Sequence, residues 1–188
     1  AKFFSPTLPE RAGWVKREKL LNFNGRKRTP QIQLAKDLGI AKYANPAGGC
    51  LLTDPCFSKR LEELLKHQEL DLDNLELLKT GRHFRIGKNT RFVVGRNEFE
   101  NNLLIRLAKP GDYLFHPQND LAGPVSLGRG LIAFELLDLC SQITSAYSDT
   151  AGVREIDVFY RHLPETEEES RKALCVPKSN FAHLLIPQ

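Results

Sequence analysis

The chain has 188 residues, 41% of them hydrophobic and 27% charged, with 4 cysteines and a net charge of +4. These values describe a globular chain able to bury one sizeable core or two small ones, and they exclude collagen-like, disordered and disulfide-dense classes. The longest nearly apolar run, residues 131–139, is interrupted by Glu135 and Asp138 and falls far short of the ~20 residues a bilayer-spanning helix needs. No membrane partner is expected. The start of the chain mixes prolines and both signs of charge, unlike a secretory leader, so a cytoplasmic location is expected. The sequence begins at Ala1 and contains no methionine, which reads as a fragment of something longer.

Charge alternates in blocks. Residues 1–60 carry 12 basic and 4 acidic side chains, residues 61–78 carry 1 and 6, residues 79–109 carry 8 and 2, and residues 110–188 carry 6 and 11. Clustered Lys and Arg favour a polyanion through counterion release, and solvated faces of a mildly basic protein are the alternative.

In chain order, residues 14–21 read as a short helix inside a basic block that includes Lys16, Arg17, Arg26, Lys27 and Arg28. Asn24-Gly25 marks a turn. Thr29-Pro30 starts a helix with a hydroxyl cap and an early Pro, Ile32, Leu34, Ala35 and Leu38 give it one apolar side, and Gly39 closes it. A loop over residues 45–50 places Cys50 directly after two glycines. Asp54-Pro55 repeats the helix-start signature, with Phe57, Leu61, Leu64 and Leu65 on one side. Asp73 with Glu76 predicts a capped helix over residues 74–80, ended by Gly81. Beyond Gly81 the hydrophobic period becomes two. Residues 82–86 and 90–94 read as strands joined by a Gly-Lys-Asn turn, with Phe84 and Ile86 on one face and His83 and Arg85 on the other. Further strands are expected at 113–116, 124–127, 156–161 and 174–176, a long helix over 131–147, and a charged loop or helix over 165–172. The reading is an α+β chain: a small helical bridging segment over residues 1–80, then a mixed or antiparallel sheet over 81–188 packed against a long helix.

Complete catalytic constellations are scarce. The phosphate-loop, dinucleotide, zincin and nucleophile-elbow motifs are missing from the sequence, and the cysteine and histidine spacings match no zinc site. Cys140 and Cys175 fall in apolar patterns and read as structural. Cys50 admits two readings, a reactive thiolate favoured by upstream cations or a buried small hydrophobe. The segment Gly95, Arg96, Asn97 with Asn101, followed by Gly111 to His116 and Gly123-Pro124, is dense in groups that can hold phosphate or ribose. Tyr113, Phe115 or His116 are candidates to stack on a base. The alternative there is an Asn-rich turn capping a helix.

From residue 93 to about 160 the sequence resembles the RNA-binding domain of the NFACT family. The resemblance lies in Gly95-Arg96-Asn97 with Asn101, the Gly111-Asp112-Tyr113-Leu114-Phe115-His116 stretch, Gly123-Pro124, and the helix running into Ala146-Tyr147-Ser148. Separately, residues 25–107 resemble the region that follows the ATP-binding PP-loop domain in tRNA 2-thiouridylases, often labelled tRNA (5-methylaminomethyl-2-thiouridylate) methyltransferases. The matching features are residues 31–39, the loop to Cys50 with a Phe-containing helix after it, Gly81-Arg82-His83, and Val93-Val94-Gly95. Together the resemblances imply a tRNA- or structured-RNA-binding segment of a sulfur-transferring enzyme. They imply no cofactor in this chain, ATP in a missing N-terminal domain, and a sulfur donor protein as a further partner. Cys50 is then the candidate sulfur carrier and Cys56 a candidate resolving thiol. Arg82, His83, Arg85, Gly95, Arg96, Asn97, Asn101, His116 and the basic block are the candidate RNA contacts. The reading from another class is a stand-alone RNA or ribosome-interaction module with Cys50 structural.

Overall fold

The computed structural model describes residues 5–23, 25, 27–42, 51–150 and 152–186, and the chain forms two compact units, residues 1–48 and 49–188.

In the first unit, α1 (Leu8–Arg11) is closed by a box in which Glu10 reaches back to Thr7, and α2 (Thr29–Asp37) begins with Pro at its start. The N-cap of α2 is Arg28, with no side-chain capping bond, so Thr29 is the first helical residue rather than the cap. The helix expected over residues 14–21 is reduced to one 3-10 turn, Arg17–Lys19. Gly13 at φ 75° turns the chain after α1, and Trp14 stays 76% exposed, so no apolar face is covered to support a helix. No described residue of this unit is buried.

The second unit is an α+β fold around a six-stranded antiparallel sheet. Its elements are α3 (Pro55–Lys66), α4 (Leu72–Leu77), β1 (Arg82–Gly87), β2 (Thr90–Val94), α5 (Glu98–Leu107), β3 (Tyr113–Pro117), β4 (Ser126–Gly130), α6 (Phe134–Ala146), β5 (Glu155–His162) and β6 (Glu169–Leu174), followed by a 3-10 segment, Lys178–Leu184. The strand order is β1-β2-β4-β3-β5-β6. Asp54 caps α3 by accepting from the Cys56 and Phe57 amides at 2.8 and 2.9 Å. The cap of α4 is Asp71, which accepts from Asn74 N at 2.7 Å. The helix therefore starts and stops earlier than the Asp73–Glu76 pattern implies, and Thr80-Gly81 is the turn into β1.

Alternation along the strands builds two cores. On one face, Phe84, Ile86, Phe92, Val94, Phe115, Val158 and Tyr160 pack against Leu137, Cys140 and Ile143 of α6. Leu137 is the buried leucine of that helix, at 6% exposure. On the other face, Val93, Leu114 and Leu127 pack against Leu77 of α4 and Leu104 of α5. Residues 165–168 have no regular structure and 169–172 begin edge strand β6, paired to β5 from Tyr160↔Glu169 to Glu155↔Leu174. The final strand expected at residues 174–176 is thus the end of β6. Among the described residues no helix is long and apolar enough to cross a membrane.

Candidate nucleic-acid interface

The chain reverses several times at one end of the sheet, and the polar groups of those reversals line a groove of about 680 Å³. Arg82 opens β1, Gly95 to Asn97 leave β2, Glu98 and Asn101 lie on α5, Gly123-Pro124 lead into β4, Tyr147 and Asp149 follow α6, and Lys178 starts the last 3-10 segment.

Two glycines let these segments meet. A Cβ on Gly95 would lie 2.1 Å from Asn101 Oδ1, and one on Gly123 would lie 2.6 Å from both Pro117 Cγ and Ser148 Oγ. Asn101 is the clamp between them. Its Oδ1 accepts from Val125 N at 3.0 Å and its Nδ2 donates to Gly123 O at 3.4 Å, tying α5 to the loop before β4. Gly95 N donates to Val125 O at 3.0 Å, closing the same junction from the backbone.

Arg96 and Asn97 serve the helix start. Asn97 caps α5 by accepting from Glu100 N at 3.0 Å. Glu100 accepts from Arg96 N at 2.8 Å and from Arg96 Nε and NH2 at 2.9 and 2.7 Å. Burial works to raise the Glu100 carboxyl, but the Arg96 guanidinium and backbone N–H together hold it below the usual carboxylate range. Glu100 in turn raises the Arg96 pKa. The capping alternative thus describes Asn97, and the Arg96 charge is already matched.

Arg82 and Lys178 carry the remaining cationic character. Arg82 lies 4.9 Å over the Tyr147 ring and donates to Gly95 O at 3.3 Å, and Lys178 Nζ lies 4.9 Å from the same ring. Burial pushes the Tyr147 phenol up, so it is neutral at pH 7. Opposite in sign, Glu98 and Asp149 also line the groove. The lining thus offers cations, an aromatic ring and carboxylate acceptors.

The other sequence candidates lie elsewhere. His83 is enclosed at 0% exposure, its ring donating from Nε2 to Thr80 O at 2.8 Å. Burial, with Arg60 and Arg91 nearby, holds its pKa well below the usual value. Arg85 is bound by Glu63 and Glu69 on the sheet face away from α6. His116 stacks on Phe159 with centroids 5.8 Å apart and meets Glu168 at 3.3 Å. Tyr113 and Phe115 belong to the α6-side core. In the first unit, Lys16 and Lys27 are exposed and Arg17 pairs with Glu10 at 2.9 Å, while Arg28 occupies the N-cap of α2. Arg26 and Cys50 lie outside the described residues. Cys56 is half-buried at the start of α3.

Tyr147 and Lys178 join the groove without having been singled out as contacts by local sequence. Tyr147 sits in a stretch that carries the NFACT resemblance, whereas Lys178 is an isolated lysine that only the final 3-10 segment brings into place.

Comparison with known proteins gives one family. The family model described as the NFACT protein RNA binding domain matches residues 81–183. No curated protein matches the chain. Among solved structures, the C-terminal part of the fibronectin/fibrinogen-binding protein from Streptococcus suis is 12% identical, with a TM-score of 0.49, over 70% of this chain and 67% of that one.

Proposed function

Since this chain belongs to the family of NFACT protein RNA-binding domains, we propose that the groove between Gly95, Gly123 and Tyr147 is where it holds RNA. What supports this is the convergence of Arg82, Tyr147 and Lys178 at a junction that Gly95 and Gly123 allow to close, since a Cβ on either would strike Asn101 or Pro117 and Ser148. Arg82 and Lys178 take the phosphate, and the Tyr147 ring offers an apolar surface to a sugar or base. Glu98 and Asp149 accept hydrogen bonds from ribose hydroxyls, a contact that DNA lacks. Anisotropy with a structured RNA tests the assignment. Arg82→Ala and Lys178→Ala should each weaken binding about tenfold and flatten the log K against log salt slope by about 1 per lost phosphate contact. Unchanged affinity and slope in both variants would assign RNA to another face.

The finer reading is that the RNA is a tRNA, presented to an ATP-dependent PP-loop domain that activates a base for sulfur transfer. Residues 1–80 would form the bridge, Cys50 would carry sulfur from a donor protein, and Cys56 would resolve the intermediate. Its support is the sequence resemblance over residues 25–107 to tRNA 2-thiouridylases. Maleimide labelling with peptide mapping at pH 7 tests it: Cys50 should react well before Cys140 and Cys175 and be protected when the PP-loop domain is supplied. Equal sluggishness of all four thiols favours a stand-alone RNA-binding module.

A further inference from the structure

On the sheet face away from α6, three arginines stand in register. Arg85 on β1 is opposite Arg91 on β2, and Arg91 is opposite Arg129 on β4. Like charges directly across strands repel, so each guanidinium needs its own acceptors.

The two outer arginines have them. Arg85 donates from Nε to Glu63 at 3.1 Å and from NH1 and NH2 to the two oxygens of Glu69 at 2.9 and 3.0 Å. Arg129 donates from Nε and NH2 to Asp112 at 3.0 and 2.7 Å, from NH1 to Asn74 Oδ1 at 3.2 Å and from NH2 to Leu107 O at 2.9 Å. Arg91 does not. Its side chain is 2% exposed, and only NH2 reaches an acceptor, Glu69 Oε2 at 3.3 Å, an oxygen that Arg85 already holds. Its Nε and NH1 are buried without a protein partner. Burial and the neighbouring Arg85 pull its pKa down to about 10, so the charged form lacks the stabilisation its neighbours receive.

Arg91 also lines a cavity of about 470 Å³, together with Arg129, Lys109, His67 and the carboxylates Glu69 and Asp112, which are held by Arg85 and Arg129. Lys109 reaches Asp73 at 3.1 Å with its side chain 39% exposed, so it stands at the rim. His67 is tied to Glu63 at 3.0 Å.

We propose that this cavity binds a phosphate group, with Arg91 as its buried donor and Lys109 at its mouth. The unshared N–H bonds of Arg91, one on Nε and two on NH1, suit an anion with several oxygens, and a buried guanidinium lacking acceptors gains most from an incoming one. The volume accommodates more than a bare phosphate, which fits a phosphate carried on a larger body such as a nucleotide. This inference does not rest on the groove described above. Arg91 is near the start of β2, whereas Gly95 follows its end.

The test uses the full chain and observes arginine Nε–H signals, assigned through bonds, during titration with inorganic phosphate at constant ionic strength. The Arg91 signal should move saturably, and Lys109→Ala should weaken the apparent affinity at least threefold while leaving the fold unchanged. AMP against adenosine, and 5′-phosphorylated against 5′-hydroxyl RNA, then separate a free small molecule from an RNA end as the source of the phosphate. An Arg91 signal that never moves, or moves only linearly and equally with chloride, overturns the proposal. So does an affinity untouched by Lys109→Ala. Loss of RNA binding in the Arg82 and Lys178 variants has no bearing on it.

Discussion

Gly95→Ala is the sharpest perturbation of the groove, because the cause of its effect can be isolated. Gly95 does not need a positive φ, so the new methyl adds no backbone strain and acts through contact alone. Its Cβ would stand 2.1 Å from Asn101 Oδ1, with Val125 O at 3.3 Å as the other close neighbour apart from Asn101 itself. Asn101 must then leave, and the Val125 N–H loses its 3.0 Å acceptor. Overpacking costs about 1–3 kcal/mol and a lost hydrogen bond about 1 kcal/mol, so Gly95→Ala should destabilise by about 2–4 kcal/mol. Asn101→Ala alone removes the bond but also the obstacle, and should cost about 1–2 kcal/mol. In the double variant the nearest remaining neighbour of the methyl is the Val125 carbonyl at 3.3 Å, a tight contact that a shift of a few tenths of an ångström relieves, so adding Gly95→Ala to Asn101→Ala should cost about 1 kcal/mol or less. Urea unfolding of the four proteins at matched m values measures the cycle. Strict additivity of the two substitutions would show that Asn101 is not what Gly95 accommodates, and the clamp argument would fail.

Other outcomes follow from buried and paired groups. His83 has a folded pKa below its usual 6.5 because burial, then Arg60 and Arg91, oppose its charge. The unfolded chain therefore binds the proton first, and stability should fall as pH drops below about 6.5, by up to about 1.4 kcal/mol per pH unit. His83→Asn should remove that slope between pH 6.5 and 5, and a slope that persists would assign it elsewhere. Arg96→Ala should cost about 1 kcal/mol of stability in thermal or urea unfolding, because Glu100 loses its partner while the pair remains partly solvated. An affinity loss with no change in stability would instead make Arg96 a direct RNA contact. Cys140 is buried and its thiol is pushed far up by desolvation, so it should label with maleimide only as the protein unfolds; labelling in the folded state would contradict the α6 packing.

Much of this fold is legible in the sequence because local rules and tertiary packing agree. The period-two strands β1 and β2, the Asp54-Pro55 helix start and the long α6 follow from alternation, capping and an apolar stripe. The failures have physical reasons. Residues 14–21 have a helical pattern, but among the described residues of their unit none is buried, and Trp14 stays 76% exposed. The cap at Asp71 competes with Asp73 two residues later, and only the backbone shows which side chain reaches Asn74 N. Strand β6, Glu169–Leu174, is charged because it is an edge, and edge strands lack the hydrophobic alternation that marks central ones. For the site, Gly95, Arg96, Asn97 and Asn101 stand out by density, but density does not separate a capping asparagine from a ligand contact. Lys178 and the Arg85–Arg91–Arg129 row are invisible, because they depend on strand register and on a segment folding back across the sheet.

We propose above that RNA occupies the groove at the Gly95 end of the sheet. Amide spectra of the full chain titrated with a structured RNA measure this directly. Shifts should concentrate at Arg82, Gly95, Gly123, Tyr147 and Lys178 and be lost in Arg82→Ala. Shifts gathered around His116 and Phe159, with the groove unmoved, would contradict it.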